Sequence, residues 1–263
     1  MVYAKHTWVT GELISATKLN NMEDGIKGNN DFLNTGNAGF HNSIYRGKSL
    51  GTSVTNDQWS AIQSGTFTDM FIGDYWTING VRWVIAHFDY YYNIGDTNFG
   101  THHICVVPES NLYNHVMNDT NTTVGGYEGS KMRTEGLANA ITAVQSAFGA
   151  EHLKSHRVYL CNTVTDGVET GGEWADSPGV ELMTEIQVYG TKIRALANHI
   201  ATTDKEQLAI FALEPKELNR RQSYWLQDAV SSANFAGVGL YGVAGANNAS
   251  ATYTGVRPLS VIG

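Results

Sequence analysis

Histidine, cysteine and carboxylate side chains crowd into one stretch of this 263-residue chain: His87-x-Asp89, Asp96, His102-His103, Cys105 and Glu109, with Asp119 shortly after. Such a set could hold a metal or move protons. Alternate residues of a strand share a face, so His103 and Cys105 would project together, as metal ligands on a strand must. No third or fourth ligand follows at a recognisable spacing. The plainer reading, two satisfied histidines between a loop and a core strand, is therefore preferred, and no metal or cofactor is expected. Asp89, Asp96, Glu109 and Asp119 scatter as carboxylates do in any acidic chain. Gly-x-x-x-x-Gly-Lys does not occur, so no catalytic residue is assigned and a non-enzyme is expected.

The other chemistry on offer is recognition. From Ala229 to Val256 the chain carries no Lys, Arg, Asp or Glu and is built of Gly, Ala, Ser, Asn, Thr, Tyr and Val with single Phe and Leu residues. Tyr and Phe give contact area at low entropic cost, while Ser and Asn hydrogen-bond in many geometries. Ser231, Ser232, Asn234, Phe235, Tyr241, Asn247, Asn248 and Tyr253 are the expected ligand-binding residues, suited to sugars because aromatic faces stack on pyranose rings and amides bond hydroxyls. The alternative is a ligand-free set of Gly-rich loops and edge strands.

Seventeen basic and twenty-five acidic residues give a net charge of −8, which argues against nucleic-acid phosphate or anionic lipid as a partner. Cys105 and Cys161 are single and distant, and read as buried free thiols. The start has no apolar signal-type segment and no run approaches the ~18 apolar residues of a membrane span. Synthesis and assembly in a cytoplasm, without membrane insertion, are expected.

The elements that must position these residues fall into two parts. In residues 1–44, Ser15 or Thr17 can cap a helix on which Leu19, Met22, Ile26 and Leu33 recur at helical or heptad spacing. One stripe on so short a helix needs a partner, either the body of the chain or copies of itself. With Trp8 these residues form the expected attachment and oligomerisation segment. Residues 35–50 read as a linker, with a boundary near residue 44. Residues 45–263 read as an α+β domain with mostly antiparallel strands and two or more helices. Tyr75–Ile78, Asn79-Gly80 and Val81–Ala86 predict a hairpin, and 103–108 a strand. Ser130 caps a helix whose face is Leu137, Ile141, Val144 and Phe148, with Gly149 as its stop. His152–Val164 is expected to be a short helix or strand, 166–179 a loop, 180–189 and 207–213 strands, 192–200 a helix, and 224–226 and 256–262 framework strands.

Two groups of motifs carry a resemblance. WVTGELISATKLNNMEDGIK resembles a motif near the start of tail, baseplate and fibre proteins of phages of Gram-positive hosts, matched at Leu19, Asn20, Glu23, Gly25 and Ile26. Gly-x-His-His-Ile at 100–104, Gly-Gly-Tyr-x-Gly-Ser-x-Met at 125–132 and Gly-Val-Arg-Pro at 255–258 resemble phage structural proteins whose C-terminal domain is C-type-lectin-like. Tropism determinants diversified by retroelements are among these proteins. The resemblance implies a virion protein made in the bacterial host, with Val256–Ile262 beside the hairpin near Val81 and residues 231–253 displayed as a variable face. It also implies a host-surface receptor, glycan or protein, other virion proteins as partners, and a homo-oligomer with a trimer favoured. A capsid-decoration or spacer role is the alternative. Glu214-Pro215 is followed by Lys216, departing from the calcium-holding lectin pattern, and no cysteine lies beyond Cys161 to match the formylglycine-generating relatives. The sequons at Asn118, Asn121 and Asn248 carry no meaning in a protein made by bacteria.

Overall fold

The computed structural model describes residues 7, 9–34, 37–196 and 203–263, excluding the side chains of 30–34. Trp8 and the Leu33 side chain lie outside the described residues. In chain order the elements are α1 (Ala16–Asn34), α2 (Ala38–His41), β1 (Ser49–Gly51), α3 (Asn56–Gln63), β2 (Tyr75–Ile78), β3 (Val81–Phe88), β4 (Ile104–Pro108) and β5 (Tyr113–Asn114). A π-helical turn, Met132–Gly136, leads into α4 (Ala138–Phe148). Then come β6 (His156–Thr165), β7 (Val168–Ser177), β8 (Val180–Glu181), α5 (Glu185–Tyr189), α6 (Ala209–Leu213), β9 (Tyr224–Ala229), β10 (Asn234–Val238), β11 (Ala244–Asn248), β12 (Gly255–Val256) and β13 (Leu259–Ile262). The architecture is α+β with mainly antiparallel pairing.

Three sheets form: β1-β2-β3-β4-β13-β8, β11-β10-β9-β12-β5, and the β6-β7 pair. The hairpin β2–β3 forms in the expected register, Ile78 opposite Val81. Its turn places Asn79 at φ 53° and Gly80 at φ 78°, the left-handed conformations that Asn and Gly tolerate. Trp76, Trp83, Ile85, Val106 and Phe148 meet in the buried core with Trp225, Phe235, Val256 and Ile262. Ser130 Oγ accepts the Arg133 amide at 3.2 Å, and Leu137, Val144 and Phe148 are buried as the helical spacing requires.

The structure corrects several expectations. The 166–179 loop is strand β7, paired with β6 along its length, because Asp166-Gly167 at φ 52° and 82° makes a tight hairpin turn. Residues 180–189 give only the two-residue β8 and then α5, capped by Thr184. Residues 207–213 contain α6, not a strand, and the described part of 192–200 is not helical. The final strand β13 pairs with β4 and β8, so β4 separates it from the hairpin. Packing on the body starts before residue 44. His41 is fully buried, and Asn42 bonds both the carbonyl and the amide of Phe88, at 3.0 and 2.8 Å. In α1, Leu19, Met22 and Ile26 are exposed, so their stripe is not covered by the body. Among the described residues no helix is long and apolar enough to cross a membrane.

Candidate binding face

The antiparallel trio β9–β10–β11 ends at β11, the sheet's outer edge. Asn234 lies opposite Asn248 and Phe235 opposite Asn247. The eight expected ligand-binding residues are not brought to one place. Phe235 is fully buried, because its side of β10 faces the core, and it is removed from the face. Ser231, Ser232, Asn234 and Asn248 gather at one end of the β10–β11 hairpin. Tyr241 stands in the turn at the other end, where the Gly239 amide donates to the Val243 carbonyl at 2.8 Å. Asn247 lies along the edge strand. The hydroxyl of Tyr253 lies 3.4 Å from Asn247 Oδ1.

The end that carries the serines is a junction of four loops. Thr123 donates its amide to the Ser232 carbonyl at 3.1 Å and its hydroxyl to the Ser231 carbonyl at 2.8 Å. Asn121 Oδ1 accepts from the amide and hydroxyl of Ser250, at 3.2 and 2.7 Å. The β6–β7 tip reaches the same place: a Cβ added at Gly167 would lie 2.7 Å from the Ser231 Cα. Segment 118–124, reading NDTNTTV, therefore belongs to the face, with Val124 76% exposed. Sequence reading missed it as a surface, although its Asn and Thr content matches that of residues 231–253. At this end the face is nearly neutral, since Asp119 is paired with Lys131 at 2.6 Å; the edge strand carries a basic group, Arg194, whose Nε donates to the Ala244 carbonyl at 3.0 Å.

Two exposed tyrosines frame the surface. Tyr241 is 66% and Tyr253 65% exposed. Tyr241 has company of its own: Leu240 and Val243 are exposed beside it, and the Arg221 guanidinium sits 5.5 Å from its ring centroid. The Tyr189 hydroxyl fixes the turn from beneath by donating to the Gly242 carbonyl at 3.1 Å. The arrangement is an exposed aromatic and apolar knob at one end and a neutral amide and hydroxyl cluster at the other, on a fixed strand pair.

The residues that could have done metal or acid–base chemistry are taken up by structural contacts, His87, His103 and Cys105 in the core and the others nearer the surface. His103 Nε2 accepts the Tyr91 amide at 3.1 Å, so its Nδ1 proton goes to the Thr101 carbonyl at 2.9 Å. Both ring nitrogens are thus used, and burial pushes its pKa down to about 3. Cys105 is buried and its thiol pKa raised, burial being the main cause. His87 Nδ1 accepts the Ala209 amide at 3.1 Å. His102 is held by Asp89 at 2.7 Å and stacks on Tyr92. Among the described residues no group of three or more His, Cys, Asp or Glu is arranged to hold a metal ion. Asp96 pairs with Arg157 and Glu109 with Arg82 and Arg220, each the structural use of a carboxylate. No protein-family model, curated protein or solved structure matches the chain.

Proposed function

We propose that this protein is a bacteriophage virion component of the tail tip, baseplate or fibre. In this reading residues 45–263 form a C-type-lectin-like domain that binds a host-surface receptor, glycan or protein, through the β9–β11 end. The observation that carries it is the exposure of Tyr241 and Tyr253 along the β10–β11 hairpin, with Asn247 on its edge strand and Ser231, Ser232, Asn234 and Asn248 at the end away from Tyr241. Exposed aromatics beside small polar side chains are the composition of adaptable recognition surfaces. The exposed stripe of α1 attaches the protein to the particle and to copies of itself, three being favoured. A retroelement template repeat beside the gene, if there is one, is expected to match codons 231–253.

The test is adsorption of the full-length protein to bacteria that the phage infects. Wild-type protein is expected to bind, and Tyr241→Ala with Tyr253→Ala to weaken binding at unchanged thermal stability; an intact wild-type protein that never adsorbs sinks the reading. The second reading, a capsid decoration or spacer, draws on the adjoining exposed Leu240, Tyr241 and Val243, which suit packing on another virion protein. Electron microscopy of particles separates the two, because a receptor binder must present residues 231–253 to solvent at a distal end.

A further inference from the structure

Behind the face, three charged side chains from distant parts of the chain are buried together. Lys192 follows α5, Glu169 lies on β7 and Asp228 on β9. Lys192 Nζ is 2.7 Å from Glu169 Oε2 and 3.4 Å from Asp228 Oδ1, with side-chain exposures of 12, 4 and 4%. One ammonium and two carboxylates in so dry a place carry a large desolvation cost. The remaining carboxylate oxygens are held by backbone amides: Glu169 Oε1 by Ala229 at 2.9 Å, and Asp228 Oδ2 by Glu185 at 2.7 Å. Tyr127, Tyr159 and Cys161 line the adjoining cavity of about 40 Å³.

We propose that Lys192 and Asp228 are partners in an intramolecular amide bond, formed with Glu169 as the proton carrier. The inference stands independently of the receptor-binding reading. Nζ lies 3.4 Å from Asp228 Oδ1, which brings the Cγ bonded to that oxygen beside the amine, and the fold supplies the orientation. Lys192 rests as the ammonium. Glu169, in direct contact with Nζ, takes a proton from it and frees the nitrogen lone pair to attack Asp228 Cγ. The Cγ–Nζ bond forms as the Cγ–Oδ1 bond breaks. Two of the three ammonium protons leave on Oδ1 as water, relayed by Glu169, which ends in the state in which it began. The Glu185 amide faces Oδ2, where charge develops in the tetrahedral intermediate, as an oxyanion donor does. The cavity exceeds the ~10–15 Å³ that one water needs, so the leaving water has a place to go.

Charge assigns the roles. Burial, and then the neighbouring Asp228 carboxylate, raise the Glu169 pKa against the pull of Lys192 and the Ala229 amide, while the two carboxylates raise that of Lys192 against burial; the proton transfer to Glu169 is therefore the uphill step, and the raised Glu169 pKa lowers its cost. The reaction replaces the ammonium and one carboxylate by a neutral amide, and so removes two buried charges of the three. It also ties the segment after α5 to β9 covalently, beneath the surface formed by the β9–β11 end.

Intact mass of the full-length chain under unfolding conditions tests this directly. The wild type is expected to be lighter than its sequence mass by one water. Trypsin should fail to cut after Lys192 and should release one branched peptide joining Lys192 to Asp228. Lys192→Arg and Asp228→Ala should show the full sequence mass, and Asp228→Asn should close with loss of ammonia instead of water. Glu169→Gln should leave most of the chain open, and complete closure in that variant would overturn the role of Glu169. Should any variant fail to fold, the wild-type peptide map alone decides. Full sequence mass, cleavage after Lys192, or a bridge ending on Glu169 would each overturn the proposal.

Discussion

Arg257 is fully buried and has no water to fall back on. Its guanidinium donates to the Pro108 carbonyl at 2.9 Å, the Glu217 carbonyl at 2.8 Å and the Glu217 carboxylate at 3.3 Å. The Glu217 carboxylate keeps Arg220 as a partner, so removing Arg257 takes the donor from two buried carbonyls, at a cost of about 1–3 kcal/mol for each. Arg257→Ala is expected to lose that much in urea unfolding. At the face, the split between Phe235 and Tyr253 is equally sharp. Phe235→Ala should cost about 3–5 kcal/mol through the cavity it leaves. Tyr253→Ala should stay within about 0.5 kcal/mol of wild type and change adsorption instead. Equal stability losses in the two variants would show that Tyr253 belongs to the framework.

Two glycines with the same backbone conformation separate the elements that only turn from those that also touch. Gly80, in the β2–β3 turn, would meet nothing within 4 Å if given a Cβ, whereas a Cβ at Gly167 would lie 2.7 Å from both Ser231 Cα and Ser232 N. Gly80→Ala should cost only the left-handed penalty, about 1–2 kcal/mol. Gly167→Ala should cost more in the same unfolding assay and also weaken adsorption, because the β6–β7 tip supports the 231–232 turn. The two turns also mark where the sequence was legible. Asn79-Gly80 sits between strongly β-forming runs and announces its hairpin. Asp166-Gly167 has the same turn chemistry, but β7 reads VETGGEWADS, too rich in Gly and acid to look like a strand. Its pairing is decided by β6, which no local pattern reports. The short apolar runs at 185–189 and 209–213 were ambiguous between helix and strand for want of length. The face was half legible: the composition of 231–253 marked it, but nothing local tells that Phe235 points inward or that 118–124 folds across to join it.

For the molecule as a whole, the buried titratable groups oppose one another in acid. Burial pushes the pKa of His156 down to about 4 and that of His103 to about 3. Above the ordinary imidazole value of about 6.5 both residues are neutral folded or unfolded, and neither affects stability. As pH falls below that value the unfolded chain takes up protons that the folded protein refuses, so stability is lost until the folded pKa is reached. At about 1.4 kcal/mol per pKa unit, His156 alone accounts for up to about 3 kcal/mol between pH 6.5 and 4. Glu169, Glu181 and Glu185 act in the other direction. Burial raises each folded pKa, so they favour the folded state when protonated and withdraw that contribution as pH rises through the raised values. Substituting one histidine isolates its share. His156→Gln keeps a donor near the Lys154 carbonyl, which His156 Nδ1 meets at 3.2 Å. Urea unfolding from pH 7 to 4 should show the wild type losing stability more steeply than the variant, by up to one proton's worth of slope. Parallel curves would mean that His156 is protonated in the folded protein and that burial does not hold it neutral.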